Sequence, residues 1–146
     1  MFFMTRILLI LLTGALLACG EAKPTDPDLA AARGLSITQI IETFDPPTAG
    51  KVVFHRRSCT LCHTTDGSRR VGPSLNAIYG TERPLVDGTH VLADDAYLHE
   101  SILFAGKQIV AGYRGDMPRY QRVLEPGEVD ALVAYIKSLP AAPLAP

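Results

Sequence analysis

Two cysteines and a histidine fall within five residues, where the chain reads CTLCH from Cys59 through Cys62 to His63. At this spacing both thiols lie on one short turn, and the imidazole follows directly. The pattern admits four interpretations: attachment of a c-type haem, a thioredoxin-like dithiol, a zinc site that also uses His55, and a simple disulfide. The first constrains the fold most, because one turn then sets the position and orientation of a porphyrin and supplies an axial ligand.

The surrounding sequence favours haem attachment over the other three interpretations. A thioredoxin-like dithiol opens a helix after a strand, and this chain has no βαβ pattern. The position of His55 does not match the ligand spacing of a zinc finger, and a disulfide across so short a loop stabilises little. In the haem interpretation Cys59 and Cys62 add to the two vinyl groups and His63 binds the iron.

The first eighteen residues have the features of an export signal. Arg6 is their only charge, and residues 7–18 (ILLILLTGALLA) are apolar, the length of a signal-peptide core. As a helix this run rises about 18 Å, which is short of a hydrocarbon core of about 30 Å. It ends in Leu-Leu-Ala before Cys19 and so resembles the bacterial lipobox. We expect residues 1–18 to be a lipoprotein signal peptide and Cys19 to be lipidated, the alternatives being an ordinary signal peptide or a short uncleaved anchor.

Lipidation implies an exported bacterial protein that is anchored in a membrane, with its folded part in the periplasm or at the cell exterior. Two or more acyl chains hold such a protein firmly at the membrane surface. Export also strengthens the haem interpretation, because c-type haem is attached outside the cytoplasm.

The sequence after the signal peptide predicts one folded domain with an irregular segment at each end. The length of 146 residues, 47% hydrophobic and 20% charged, suits a single core, and the net charge of -1 does not indicate a nucleic-acid binder. Mixed charges and prolines predict a flexible lipid-anchored linker over 19–47, with a short helix possible at 37–44. We place the domain at 48–139 and a flexible, proline-rich tail at 140–146.

Within the domain the pattern is helical, and no alternating strand pattern is visible. Thr48 can cap a helix that runs towards Cys59, and Asp94 can cap a second one that Gly106 ends. We therefore predict an all-α fold of short helices.

The last helix has the clearest pattern. Pro126 suits its first turn and Pro140 ends it. An unbroken apolar stripe at helical spacing runs along it, formed by Val129, Leu132, Val133, Ile136 and Leu139.

A second axial ligand is suggested by elimination. Met117 is the only methionine after the signal peptide, and it lies in a glycine-containing loop, GYRGDMP. His/Met ligation closes the iron to substrate and raises its reduction potential relative to two imidazoles. The alternatives are that His90 or His99 binds the iron and that Met117 fills a gap in the core.

Other residues are candidates for the surroundings of the haem. A backbone carbonyl near Pro73 could accept the imidazole N–H of His63, and Tyr79, Tyr113 and Tyr120 could bond the haem propionates or fill the pocket. Five basic residues flank the attachment turn and could steer an acidic partner, neutralise propionates or form a solvated face: Lys51, Arg56, Arg57, Arg69 and Arg70.

Together these residues resemble the class I cytochromes c over 48–139. The residues that carry the resemblance are Gly50 and Phe54 of the first helix, Tyr135 of the last, Cys59, Cys62 and His63, the loop Gly72, Pro73 and Leu75, and Met117. The resemblance implies that the last helix crosses the first. The resemblance implies the class I fold around one covalent haem c, with the proline carbonyl holding the histidine and the methionine as distal ligand.

The resemblance also implies a function. The Tyr113–Pro118 stretch is similar to the cytochrome domain of caa-type oxidase subunit II, although no copper-binding motif precedes it, and the lipobox layout is similar to the monohaem lipoprotein of alternative complex III. We expect a membrane-anchored carrier that passes single electrons from a quinol-oxidising complex towards a terminal oxidase of a bacterial respiratory chain. It would have redox protein partners, no small-molecule substrate, no nucleic-acid partner and no enzymatic activity. The alternatives are a fixed haem-relay subunit of a larger complex and, less favoured, a haem sensor or enzyme.

Overall fold

The computed structural model describes residues 26–140, which form a mainly helical domain. Its elements in chain order are α1 (Pro27–Ala31), α2 (Ile37–Thr43), α3 (Pro46–Arg56), a 3₁₀ turn (Cys59–Leu61), β1 (Glu82–Pro84), β2 (His90–Leu92), α4 (Asp95–Leu103) and α5 (Glu128–Ser138). Among these described helices, none is both long and apolar enough to cross a membrane. The predictions for residues 1–18, for Cys19 and for the tail from 141 onward lie outside the described residues.

The crossing of α3 and α5 forms the centre of the domain. A Cβ atom on Gly50 would lie 1.9 Å from the carbonyl oxygen of Ala131 and 2.7 Å from the Cβ of Tyr135, so only glycine permits this approach. The rings of Phe54 and Tyr135 lie 5.5 Å apart at the same crossing. The apolar stripe of α5 packs into this core through Leu132, Val133 and Ile136. The predicted pairing of the first and last helices is thus confirmed.

Of the three predicted helix starts, at Thr48, Asp94 and Pro126, the structure agrees with the one at Asp94. Asp94 caps α4 as expected, since its carboxylate accepts the backbone N–H of Tyr97 at 2.9 Å. The prediction that Thr48 caps α3 is wrong: Asp45 is the cap and accepts the N–H of Thr48 at 3.2 Å. The two prolines at positions 46 and 47 cause the difference, because proline is well suited to the first turn of a helix and so extends α3 upstream.

Two other helix ends differ from expectation. Gly127, with φ of 85°, is the residue that precedes α5, so Pro126 lies outside the helix rather than in its first turn. Glycine readily adopts this left-handed conformation, and proline cannot. The helix therefore starts after both Pro126 and Gly127. Helix α4 ends at Leu103, before the Gly106 that was expected to stop it.

A short hairpin contradicts the expectation that the domain contains no strand. Strands β1 and β2 pair antiparallel, with Glu82 opposite Leu92 and Pro84 opposite His90. Three-residue strands are too short to show a period of two, so the alternation test does not detect them. The Asp-Gly pair at 87–88 is a recognised hairpin signal that could have revealed the turn.

The segment before the domain is folded rather than flexible from residue 26 onward. Ala32 and Ile40 are almost completely buried, in a cluster that includes Ala131 of α5. Lys51 forms ion pairs with the carboxylates of Asp26 and Asp28 at 2.6 and 2.9 Å. The short helix expected at 37–44 is confirmed as α2, but the flexible linker expected over 19–47 is wrong for this part, because apolar side chains here find a complementary surface on α3 and α5.

Candidate functional site

A cavity of about 300 Å³ lies between the 3₁₀ turn, α4, α5 and the two irregular loops. Its inner wall is apolar and is formed by buried side chains, Leu75, Ile78, Leu98, Ile102, Leu132 and Ile136. Seven of the residues that the sequence nominated line it: Cys59, Cys62, His63, Pro73, Tyr113, Met117 and Tyr120. An apolar cavity with a few polar groups is the usual form of a cofactor site.

The attachment turn is compact and presents both thiols to the cavity. Ser58 adopts a left-handed φ of 58° after α3, and the chain then enters the 3₁₀ turn. The backbone N–H groups of Cys62 and His63 both donate to the carbonyl oxygen of Cys59, at 3.2 and 2.9 Å. One turn of backbone therefore carries all three side chains of the motif.

The chemistry of this turn does not favour the alternative interpretations. Burial raises the pKa of the Cys59 thiol to about 11, whereas a reactive dithiol needs a lowered pKa. Cys59 and Cys62 are not joined in a disulfide. Within residues 26–140 no group of three or more His, Cys, Asp or Glu side chains is placed to hold a metal ion.

His63 is held by the loop that follows the motif. Its Nδ1 lies 2.8 Å from the carbonyl oxygen of Pro73. Since a carbonyl can only accept, Nδ1 carries the proton and Nε2 keeps its lone pair for a ligand. Burial lowers the pKa of His63, which keeps the imidazole neutral, although the bond to Pro73 acts in the opposite direction. Gly72 packs on the ring: a Cβ there would lie 2.5 Å from Cε1 of His63.

Met117 reaches the same cavity as His63 from the loop before α5. That loop is shaped by Gly115, whose φ is 74° and whose Cβ would lie 2.6 Å from the Cδ1 atom of Ile109. The two competing histidines lie elsewhere. His99 is paired with Asp130 at 3.1 Å, and His90 is exposed on β2; neither lines this cavity.

The three nominated tyrosines do not share one location. Tyr113 and Tyr120 line the cavity, and burial raises the pKa of Tyr120. Tyr79 does not line it; its exposed ring lies 4.6 Å from the ammonium group of Lys137 on α5. The structure therefore gives no support for Tyr79 as a propionate partner or pocket filler.

Three polar residues that sequence reasoning missed complete the cavity wall. Ser101 Oγ and Gln108 Oε1 are buried and have no hydrogen-bond partner among residues 26–140, and Arg83 lines the same cavity. A buried polar atom without a partner costs about 1–3 kcal/mol, so these atoms indicate a ligand with its own polar groups. A haem fits this wall, because it combines a flat apolar ring with two carboxylates. No local signal marks these residues, which come from β1, α4 and the loop after α4.

The expected basic rim is mostly wrong, because three of its five members hold the fold together. Arg57 donates through Nε and Nη2 to both carboxylate oxygens of Glu128, at 2.8 and 2.7 Å. Glu128 is completely buried. Arg56 donates to the carbonyl oxygens of Ala32 and Leu35, and Lys51 forms the ion pairs described above. Arg57 also lines the cavity, whereas Arg69 and Arg70 do not and donate instead to the carbonyl oxygens of Gly112 and Thr60.

Comparison with known proteins agrees with this geometry. A family model described as Cytochrome c matches residues 47–140, which is more than half of the chain and includes the motif, the α3–α5 crossing and the Met117 loop. A search of the curated proteins finds no relative of the chain. The apolar cavity, the thiol-bearing turn and the carbonyl-held histidine thus lie within the matched region, and the chain belongs to the cytochrome c family as a class I c-type cytochrome, whose cofactor is a covalently bound haem c and whose role is electron transfer.

Proposed function

We propose that this protein is a monohaem electron carrier in which Cys59 and Cys62 would form the thioethers to the haem, and His63 and Met117 would bind its iron. The observation that carries the proposal is that one apolar cavity receives the attachment turn, the carbonyl-held His63 and the Met117 loop. The bound haem supplies reversible one-electron chemistry at its iron.

The residues around His63 prepare it as a ligand. The Pro73 carbonyl selects the tautomer with Nε2 free and raises the basicity of the imidazole. Gly72 leaves room for the ring to lie in that orientation. A neutral, fixed imidazole binds iron without first losing a proton or reorienting.

The apolar wall of the cavity would keep water away from a bound haem. A low-polarity surrounding that does not rearrange between oxidation states favours fast electron transfer, and the thioether of Met117 closes the sixth position to substrate. We therefore propose a carrier without an enzymatic reaction.

We assign the carboxylates of the cofactor to three polar side chains of the cavity wall. Arg83 offers a planar guanidinium donor, Ser101 a hydroxyl donor, and Gln108 an amide that presents either its oxygen or its nitrogen after rotation of the terminal group. These residues replace Tyr79 as the proposed propionate partners.

We further propose that the protein is an exported bacterial lipoprotein anchored through Cys19, with the haem domain facing the periplasm or cell exterior. It would carry electrons in a respiratory chain between a quinol-oxidising complex and a terminal oxidase. This proposal is supported by the lipobox sequence and by the export that haem attachment requires.

One observation favours the alternative of a fixed relay subunit in a larger complex, such as alternative complex III. The part of the chain that the structure describes begins at Asp26, seven residues after Cys19. Seven residues span at most about 25 Å, and α1 is tied to α3 by the ion pairs of Lys51. A domain on so short a tether serves a partner at the membrane surface better than a distant one.

The ligation is tested with Met117→Ala in the full-length holoprotein. We expect loss of the long-wavelength sulfur-to-iron band and a lower reduction potential, because the thioether favours ferrous iron. His99→Ala is the matched control and should leave both unchanged, since His99 is paired with Asp130 away from the cavity. A Met117→Ala protein with an unaltered band and potential would refute the assignment.

A further inference from the structure

Arg69 links two loops that both contribute residues to the cavity lining. It lies six residues after His63, on the loop that also carries Pro73. Its Nη2 atom donates to the carbonyl oxygen of Gly112, and its guanidinium carbon lies 4.4 Å from the centroid of the Tyr113 ring. Gly112 and Tyr113 belong to the loop that carries Met117. One side chain therefore joins the histidine side of the cavity to the methionine side.

Both ends of this link are held by their own loops. On the histidine side, the Asp66 carboxylate accepts the backbone N–H and the hydroxyl of Ser68 at 2.9 and 2.6 Å, directly before Arg69. On the methionine side, Tyr113 N–H donates to Val110 at 3.1 Å. Because each loop is ordered by its own hydrogen bonds, Arg69 joins two preformed surfaces. Forming the link therefore costs little additional ordering of either loop.

The geometry of the link suits an arginine. A planar guanidinium can stack on a ring with its face while it donates a hydrogen bond from its edge. A lysine at the same position keeps the charge but has no planar face to stack on the ring. The Arg69→Lys variant therefore separates the effect of the shape of the side chain from the effect of its charge.

We propose that Arg69 is a positioning residue that keeps the Met117 loop closed over the cavity and so protects the sixth ligand from displacement. The proposal rests on the His63/Met117 ligation proposed above. Without the link the Met117 loop opens more often, and a small external ligand replaces the thioether more readily. The arginine touches neither the ligand atoms nor any substrate and acts through the backbone of the Met117 loop.

The test is a titration of the ferric, full-length holoprotein with imidazole, followed by absorbance. Arg69→Ala should raise the apparent affinity for imidazole about tenfold, equivalent to about 1.4 kcal/mol, because one exposed hydrogen bond and one exposed cation–π contact are lost. Arg69→Lys should raise it by a similar factor. Tyr113→Leu, which removes only the ring contact, should have a smaller effect in the same direction.

The matched control is Arg70→Ala. Arg70 is the adjacent residue with the same charge, and it donates to the carbonyl of Thr60 at 3.2 Å, on the attachment turn rather than on the Met117 loop. It should bind imidazole with wild-type affinity. Equal affinities in the wild type and Arg69→Ala would overturn the proposal, as would an equal increase in Arg70→Ala or full rescue by Arg69→Lys.

The same titration distinguishes failure of this proposal from failure of the ligation. If the wild-type ferric protein lacks the sulfur-to-iron band that imidazole is expected to abolish, the assignment of Met117 itself is wrong. If the band is present and imidazole abolishes it, but the Arg69 variants bind as the wild type does, only the role of Arg69 is wrong.

Discussion

Gly72→Ala tests how closely the loop after the motif controls His63. A Cβ at this position would lie 2.5 Å from Cε1 and 2.8 Å from Nδ1 of the ring. The ring must move by about 0.9 Å for the nearer contact to reach the ordinary 3.4 Å. That displacement exceeds the range of about 0.5 Å over which N–H···O hydrogen-bond distances vary, so the bond to Pro73 at 2.8 Å is lost.

The energetic consequence follows from that one bond. A neutral hydrogen bond contributes about 1 kcal/mol, and this one makes the imidazole a stronger donor to ferric iron. Its loss should raise the reduction potential by roughly 40 mV, since about 59 mV corresponds to a factor of ten for one electron.

The assay is a redox titration of the purified holoprotein. Gly106→Ala is the matched control, because a Cβ at Gly106 meets nothing within 4 Å. It should keep the wild-type potential. A Gly72→Ala protein that contains covalent haem and titrates at the wild-type potential would refute the argument that His63 is set by this contact.

Two further predictions concern the fold and the anchor. Glu128→Gln should lower the free energy of unfolding by about 3 kcal/mol, because it leaves the charge of Arg57 without its completely buried partner. Denaturant unfolding measures this difference, with Glu125→Gln at an exposed position as the control. Equal stabilities of the two variants would contradict the prediction. Cys19→Ser should move the protein from the membrane to the soluble fraction, since acyl chains supply the proposed anchor; continued sedimentation with membranes in a fractionation experiment would show that another feature holds it there.

Local sequence patterns were sufficient for the parts of the site that lie close together along the chain. The motif from Cys59 to His63 needs only one turn, and Pro73 is ten residues from the histidine that it holds. The α3–α5 pairing was also predictable, because Gly50, Phe54 and Tyr135 match the class I pattern in which these two helices cross. The cap at Asp94 belongs to the same class, since its partner is three residues away.

The remaining features depend on contacts between distant segments. The ion pair of Arg57 and Glu128 joins residues 71 positions apart, so sequence reasoning treated the arginine as part of a solvent-facing rim. Ser101 and Arg83 come from separate elements, and neither has a motif around it. Helices α1 and α2, between residues 26 and 43, are stabilised by a surface on α3 and α5. That surface exists only after α3 and α5 have packed together. Composition, which indicated a linker, carries no information about that surface.

The central claim is that one haem is bound covalently through Cys59 and Cys62. It is tested most directly by the intact mass of the protein, exported from a bacterial host that matures c-type cytochromes and denatured before measurement. The account predicts a mass increase of one haem that disappears in the Cys59→Ser, Cys62→Ser double variant. Wild-type protein with the mass of the bare polypeptide under these conditions would contradict it.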